Sequence, residues 1–184
     1  PMSACRPRSE RAGPRALRAA GLALAALFAL AGPGRAESPP ERVVSINLCT
    51  DQLALMLAAP GQLVSVSRLA QDPRSSAMAR QAAALPANSA LAEDVFLHRP
   101  DLVLAGTFTS RATVSMLRRL GVEVVELAPA YALTDVRDRL RTVGAALGRE
   151  TQAERAVARF DADLAALRAE IAERPRAALY YANG

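Results

Sequence analysis

The sequence predicts an α/β fold: a Rossmann-like lobe on a parallel sheet, then one long spine helix and the first strand of a second lobe. Three observations predict it. Short Val/Leu-rich runs recur between residues 41 and 148, each separated from the next by a helical pattern, which is how βα crossovers read. Pro or Gly punctuates most of the junctions. From residue 151 to 174 the helical pattern then runs without interruption.

The elements follow in order. Residues 1–36 have the three parts of a secretory signal: arginines between Arg6 and Arg18, an apolar run of about thirteen residues from Ala19 to Ala31, and small residues around Gly34-Arg35-Ala36. The run is short for a transmembrane span, so cleavage after Ala36 is expected, with an uncleaved anchor as the alternative. Residues 42–46 form the first strand. Thr50 or Asp51 is expected to cap a helix running to Ala58, because a side-chain oxygen there satisfies orphan backbone N–H groups. Pro60-Gly61 stops it, and residues 63–66 form a second strand. Residues 68–90 are irregular, with a short helix around 75–83. Asn88 or Ser89 then caps a helix ending at Leu97 before Pro100. Residues 102–105 are a third strand and 111–120 a helix closed by Gly121 in a left-handed turn. Residues 122–127 form a strand, and Thr134 caps a helix to Leu147, closed by Gly148.

The long helix carries one apolar stripe: Ala153, Val157, Phe160, Leu164, Leu167 and Ile171, spaced alternately by four and three. It ends at Pro175 and spans roughly 34 Å at about 1.5 Å per residue. Residues 177–181 read as a strand and Asn183-Gly184 as the start of a turn. The expected domains are therefore 1–36 signal peptide, 37–148 α/β lobe, 149–175 interlobe helix and 176–184 the start of a second, truncated lobe. Part of the apolar stripe is expected to lack a partner, and a half-cleft is expected to bind its ligand weakly. No repeat of solenoid period is present.

Charge excludes one class of function. The formal net charge is +5, from 23 basic and 18 acidic residues. Six arginines and one acid, Glu10, lie in residues 1–36, which leaves 17 of each sign in the remainder. A neutral remainder lacks the basic face that nucleic acid needs. Cys5 falls in the leader, so Cys49 stands alone in the exported part and no internal disulfide forms there. The remainder, about 148 residues, can bury a real core.

Ligands of open parallel sheets sit beyond the carboxyl ends of the strands. Three segments are expected there: Asn47-Leu48-Cys49-Thr50-Asp51, the loop 67–72 with Arg68, and Gly106-Thr107-Phe108-Thr109-Ser110. Hydroxyls, an amide, helix N-termini, arginines and one ring suit a polar or anionic small molecule. Catalysis is poorly supplied. His98, the one histidine, is read as a surface or helix-terminal cation, with a catalyst as the alternative. The first βα turn, 45–51, has no glycine, so no dinucleotide or phosphate loop exists and no cofactor is expected. Cys49 is either an activated thiol or, in the favoured reading, a small buried residue at the cleft floor. One His and one Cys do not make a metal site. Arg68 and Arg111 each either pair with an anionic ligand or face solvent. Tyr131 and Tyr180 are candidate cleft aromatics, core packing being the favoured role for Tyr180. Glu93 and Asp94 either complement a helix dipole or offer an acidic contact to a partner's arginine.

Taken in order, several segments resemble the substrate-binding proteins of iron-complex and cobalamin ABC importers. They are Arg42-Val43-Val44-Ser45-Ile46, Thr50-Asp51-Gln52-Leu53-Ala54-Leu55, and Leu63-Val64-Ser65-Val66-Ser67. The stretch from Leu91-Ala92-Glu93-Asp94-Val95 to Arg99-Pro100-Asp101-Leu102-Val103, then Leu120-Gly121-Val122 and Ala146-Leu147-Gly148-Arg149, continue the match over about residues 41–184. The resemblance implies a periplasmic, monomeric, two-lobed binder whose lobes are joined by one long helix. It implies a metal chelate (ferric siderophore, haem or cobalamin) held between the lobes and delivered to an ABC permease of the inner membrane, without catalysis. The loops beyond the strand ends give as expected ligand contacts Asn47, Leu48, Cys49, Thr50, Asp51, Arg68, Thr107, Phe108, Arg111 and Tyr131, and the resemblance adds Glu93, which falls where the family docks a glutamate onto permease arginines. Gln52 stands where Glu is common, and Gly106 where an aromatic is often found. The alternatives are an exported α/β enzyme with its catalytic groups further along, or a binder of free metal ion.

Overall fold

The computed structural model describes residues 38–171 together with Arg176 and Ala178. The leader, the end of the predicted spine helix at 172–175, the predicted last strand and Tyr180 lie outside the described residues.

Five parallel strands form one sheet in the order β3-β2-β1-β4-β5. They are β1 Val43–Ser45, β2 Leu63–Ser67, β3 Ala87–Asn88, β4 Leu102–Gly106 and β5 Glu123–Leu127. Helices α1 (Leu48–Leu57), α2 (Ala79–Ala82), α3 (Ala92–Leu97), α4 (Arg111–Arg119), α5 (Leu133–Ala146) and α6 (Glu150–Glu170) connect or follow them, and Arg68–Gln71 is a 3-10 turn. The α/β class and the parallel sheet agree with the sequence. β3, two residues long at the sheet edge, has no apolar pattern to announce it.

Both faces of the sheet are covered, which is why the central strands β1 and β4 are buried at every position. Side chains alternate across a strand. Val43, Leu102 and Leu104 therefore enter one core with Leu57, Leu140, Val143 and Val157 from α1, α5 and α6. Val44, Ile46, Val103 and Ala105 enter the other with Val95, Val114 and Leu117 from α3 and α4.

The Arg99-Pro100-Asp101 segment closes the amino edge of the sheet. Arg99 turns the chain with a positive φ of 50°. The Asp101 carboxylate then accepts N–H bonds from Glu41 (2.7 Å) and Arg42 (3.0 and 3.1 Å) at the entry to β1. The Arg42 guanidinium donates back to the His98 and Arg99 carbonyls.

Three expected caps are replaced. Asn47, three positions before Thr50, caps α1 by accepting the Cys49 N–H at 3.0 Å. Thr50 and Asp51 are buried inside that helix. Asn88 belongs to β3, and its amide donates to the Ser45 carbonyl and the Ser65 hydroxyl, each at 2.9 Å. α3 therefore begins after Leu91, with no side-chain cap bond. α5 starts at Leu133, where the Asp135 carboxylate rather than Thr134 accepts the Tyr131 and Ala132 N–H groups. Those two bonds hold the Asp135 carboxyl below its ordinary range.

The long helix α6 packs on α5 where Gly144 meets Ala153. Ala153 and Val157 are buried, while Leu167 and Ile171 are 58% and 57% exposed. Ile171 has already left the helix, at φ −84° and ψ 100°. Among the described residues no helix is long and apolar enough to cross a membrane.

Candidate functional site

In the strand order β3-β2-β1-β4-β5 the chain reverses direction across the sheet between β1 and β4. Loops leaving two such strands diverge, which opens a crevice beyond their carboxyl ends. A pocket of about 370 Å³ occupies that place. It is walled by the start of α1, the loop after β4, and the segment that joins β5 to α5.

Asn47 fixes the β1 side. Its carbonyl accepts the Asp51 N–H at 2.8 Å and its side chain caps the helix. That side chain lies flat on Gly106: a Cβ at 106 would stand 2.9 Å from Asn47 Nδ2. The aromatic whose absence was notable at 106 thus has no room beside Asn47. Thr107 is pinned by its N–H to the Leu127 carbonyl at 3.0 Å, and Phe108 stands at the rim, 84% exposed.

Of the residues the sequence singled out, Asn47, Cys49, Thr50, Thr107 and Phe108 come together around this pocket. Cys49 is exposed, correcting the expectation of a buried floor residue. Thr50 lies wholly buried in the wall, its hydroxyl engaged with the Asn47 carbonyl at 2.9 Å and Ser45 Oγ at 2.7 Å. Leu48 is half-buried in the first turn of α1 and is not part of the lining.

Asp51 is fully buried and turned away from the crevice, accepting the Ser67 N–H at 3.1 Å and the Ser67 hydroxyl. Burial raises its pKa above the ordinary 3.8, and the bonds from Ser67 and Ser45 oppose that rise. Arg68 follows β2, where its charge helps to stabilise the Asp94 carboxylate. Arg111 lies in a shallow surface groove with Arg118, Arg119 and Glu126. Tyr131 is 85% exposed before α5. None of these four lines the pocket.

Asp94 is tied to Ser89, whose N–H and hydroxyl both reach Oδ2 at 2.7 Å. Those bonds, with lesser help from His98 and Arg68, hold its carboxyl below the ordinary range. Glu93 stays exposed in the first turn of α3, at the carboxyl edge of the sheet.

Sequence reasoning missed the third wall, Ala128, Pro129, Ala130, Val136 and Arg139, with Leu53 from α1, whereas Gln52, singled out in the sequence, does line the pocket. The signal was present, because the segment after β5 is also a carboxyl-end loop of the same sheet. Arg139 Nε donates to the Ala128 carbonyl at 2.7 Å. Among the described residues no group of three or more His, Cys, Asp or Glu could hold a metal ion.

A periplasmic heme binding protein from Pseudomonas aeruginosa is 25% identical, with a TM-score of 0.55 over 66% of this chain and 43% of its own. The periplasmic heme-binding protein RhuT from Roseiflexus sp. RS-1, in apo form, is 26% identical, with a TM-score of 0.59 over 73% of this chain and 52% of its own. The periplasmic vitamin B12 binding protein BtuF of Vibrio cholerae shares the fold at 21% identity and a TM-score of 0.58, over 72% and 51%. The chain spans about half the length of these solved structures. No curated protein matches its sequence. The family model for periplasmic binding proteins matches residues 43–184, which take in every strand, the crevice between β1 and β4, and helix α6. The chain belongs to the periplasmic binding protein family.

Proposed function

We propose that this chain captures a small-molecule metal chelate in the periplasm and presents it to an ABC permease. The observation that carries the proposal is the pocket at the switch point between β1 and β4, walled by Asn47, Thr107 and Phe108 and open on its outer side. Its apolar walls and few polar groups suit a bulky, partly apolar ligand. The heme-binding neighbours of similar fold favour haem within this class. Cobalamin and ferric siderophores are the other members.

Residues 37–148 form the capturing lobe in this proposal, and 149–175 the helix leading out of it. A second lobe, of which 176–184 is the beginning, covers the ligand's remaining face. Glu93, exposed on the carboxyl edge of the sheet, is the contact for the permease, and the signal peptide 1–36 directs export with cleavage after Ala36.

Titration of the purified protein with haemin, cyanocobalamin and a ferric hydroxamate, followed by absorbance, tests the proposal. Saturable one-to-one binding of one of them is expected, and turnover of any of them without binding would sink it. Glu93→Ala is expected to leave ligand affinity unchanged while abolishing ligand-dependent stimulation of the cognate permease's ATPase. Full stimulation by that variant would remove Glu93 from the docking role.

A further inference from the structure

The charges facing the pocket are few. Of its lining residues none is acidic and one, Arg139, is a cation. Three arginines lie along α5 at 137, 139 and 141, and they have different fates. Arg137 pairs with Asp161 at 2.6 Å and Arg141 with Glu154 at 2.7 Å, both reaching to α6. Arg139 turns the other way, toward the pocket, and among the described residues has no ion pair. Asp135, one helical turn earlier, is held by the Tyr131 and Ala132 N–H groups and feels the Arg139 charge more weakly, without an ion pair between them.

The guanidinium is nevertheless held in position. Its Nε donates to the Ala128 carbonyl, which fixes the plane of the group and leaves both Nη atoms to donate elsewhere. Arg139 is half-buried, and apolar Leu53, Leu127 and Val136 line the pocket with it, so an anion entering there would meet the guanidinium with less competition from water. A fixed pair of Nη groups matches the two oxygens of a carboxylate.

We propose that Arg139 is the specificity-determining residue of this pocket, selecting a largely apolar ligand that presents a carboxylate or similar anionic oxygen pair. The inference rests on the pocket being the ligand site proposed above, and it narrows the ligand class within that proposal.

The test compares haemin, which carries two carboxylates, with haemin dimethyl ester, which carries none, on the wild-type protein and on Arg139→Gln. Charge-assisted hydrogen bonds contribute enough for an effect of roughly tenfold to a hundredfold in Kd. Wild type is expected to bind haemin about tenfold or more tightly than the ester, and Arg139→Gln to lose that preference by weakening haemin alone. Equal affinity of wild type for acid and ester overturns the inference while leaving haem binding intact, and this arm needs no variant. Retention of the preference by a folded Arg139→Gln, checked by its thermal melt, also overturns it. Tight cyanocobalamin binding indifferent to Arg139→Gln overturns the inference but not the transport role. If wild type binds no chelate, the proposed function falls and the inference with it.

Discussion

Asp51 carries a carboxyl group into the interior, where desolvation raises its pKa above 3.8 despite the bonds it accepts from Ser67. A raised folded-state pKa means that the fold prefers the protonated acid. The stabilising preference is present below about pH 3.8 and is lost as pH rises through the folded value. At neutral pH the ionised group is therefore held at a cost. Asp51→Asn keeps the shape and removes the charge, so the stability of the variant relative to wild type is expected to rise between pH 3.5 and 7. Urea midpoints at the two pH values check this, and a constant difference would contradict it. Gly106 decides the geometry of the site in another way. A methyl group there would press on the Asn47 amide, the movable end of a side chain. Gly106→Ala is accordingly expected to change the melting temperature little and to weaken chelate binding severalfold, as read by the haemin titration.

At the scale of elements, the junctions are more informative than the interiors. Strand β1 is three residues long, and its entry depends on three bonds to the Asp101 carboxylate from a segment nearly sixty positions away. Asp101→Ala is expected to lower stability by about 1 kcal/mol, since the site is exposed and water partly replaces the lost acceptor. Chemical denaturation measures it. The contact between α5 and α6 is tighter. A Cβ on Gly144 would overlap the Ala153 methyl at a distance real side chains do not adopt. Gly144→Leu is expected to cost about 1–3 kcal/mol or more through overpacking, where Gly61→Ala, with open space around it but a φ of 80°, costs only backbone strain.

Elements were legible where their signal was local. Leucine and valine runs marked four strands, and Gly121 and Gly148, at φ 80° and 64°, stand at the ends predicted for two helices. The caps were less legible, because Asn47, Thr50 and Asp51 are equally good cap residues in sequence. The fold selected Asn47, since Thr50 and Asp51 were needed inside, against Ser45 and Ser67. Asn88 was mistaken for a cap for the same reason: its role is to join β1 to β2 through buried amide bonds, and its partners are 23 and 43 residues away.

Across the whole molecule, composition and periodicity determined the α/β class, the parallel sheet, the balanced charge after residue 36 and a long helix beginning near residue 150. Each depends on the next few residues along the chain, so one sequence contains it. Which arginine faces the crevice depends on strand order. Arg68, Arg111 and Arg139 are indistinguishable as letters, and each lies near a carboxyl end of a strand. The switch between β1 and β4 places the pocket against α5, pairs Arg137 and Arg141 with α6, and leaves Arg139 at the pocket wall. The sequence by itself determined the kind of fold and the edge of the sheet at which the pocket opens. Only the tertiary structure decided which side chains share that edge, because the contacts joining α1, β4 and α5 span tens of residues and leave no period in the chain.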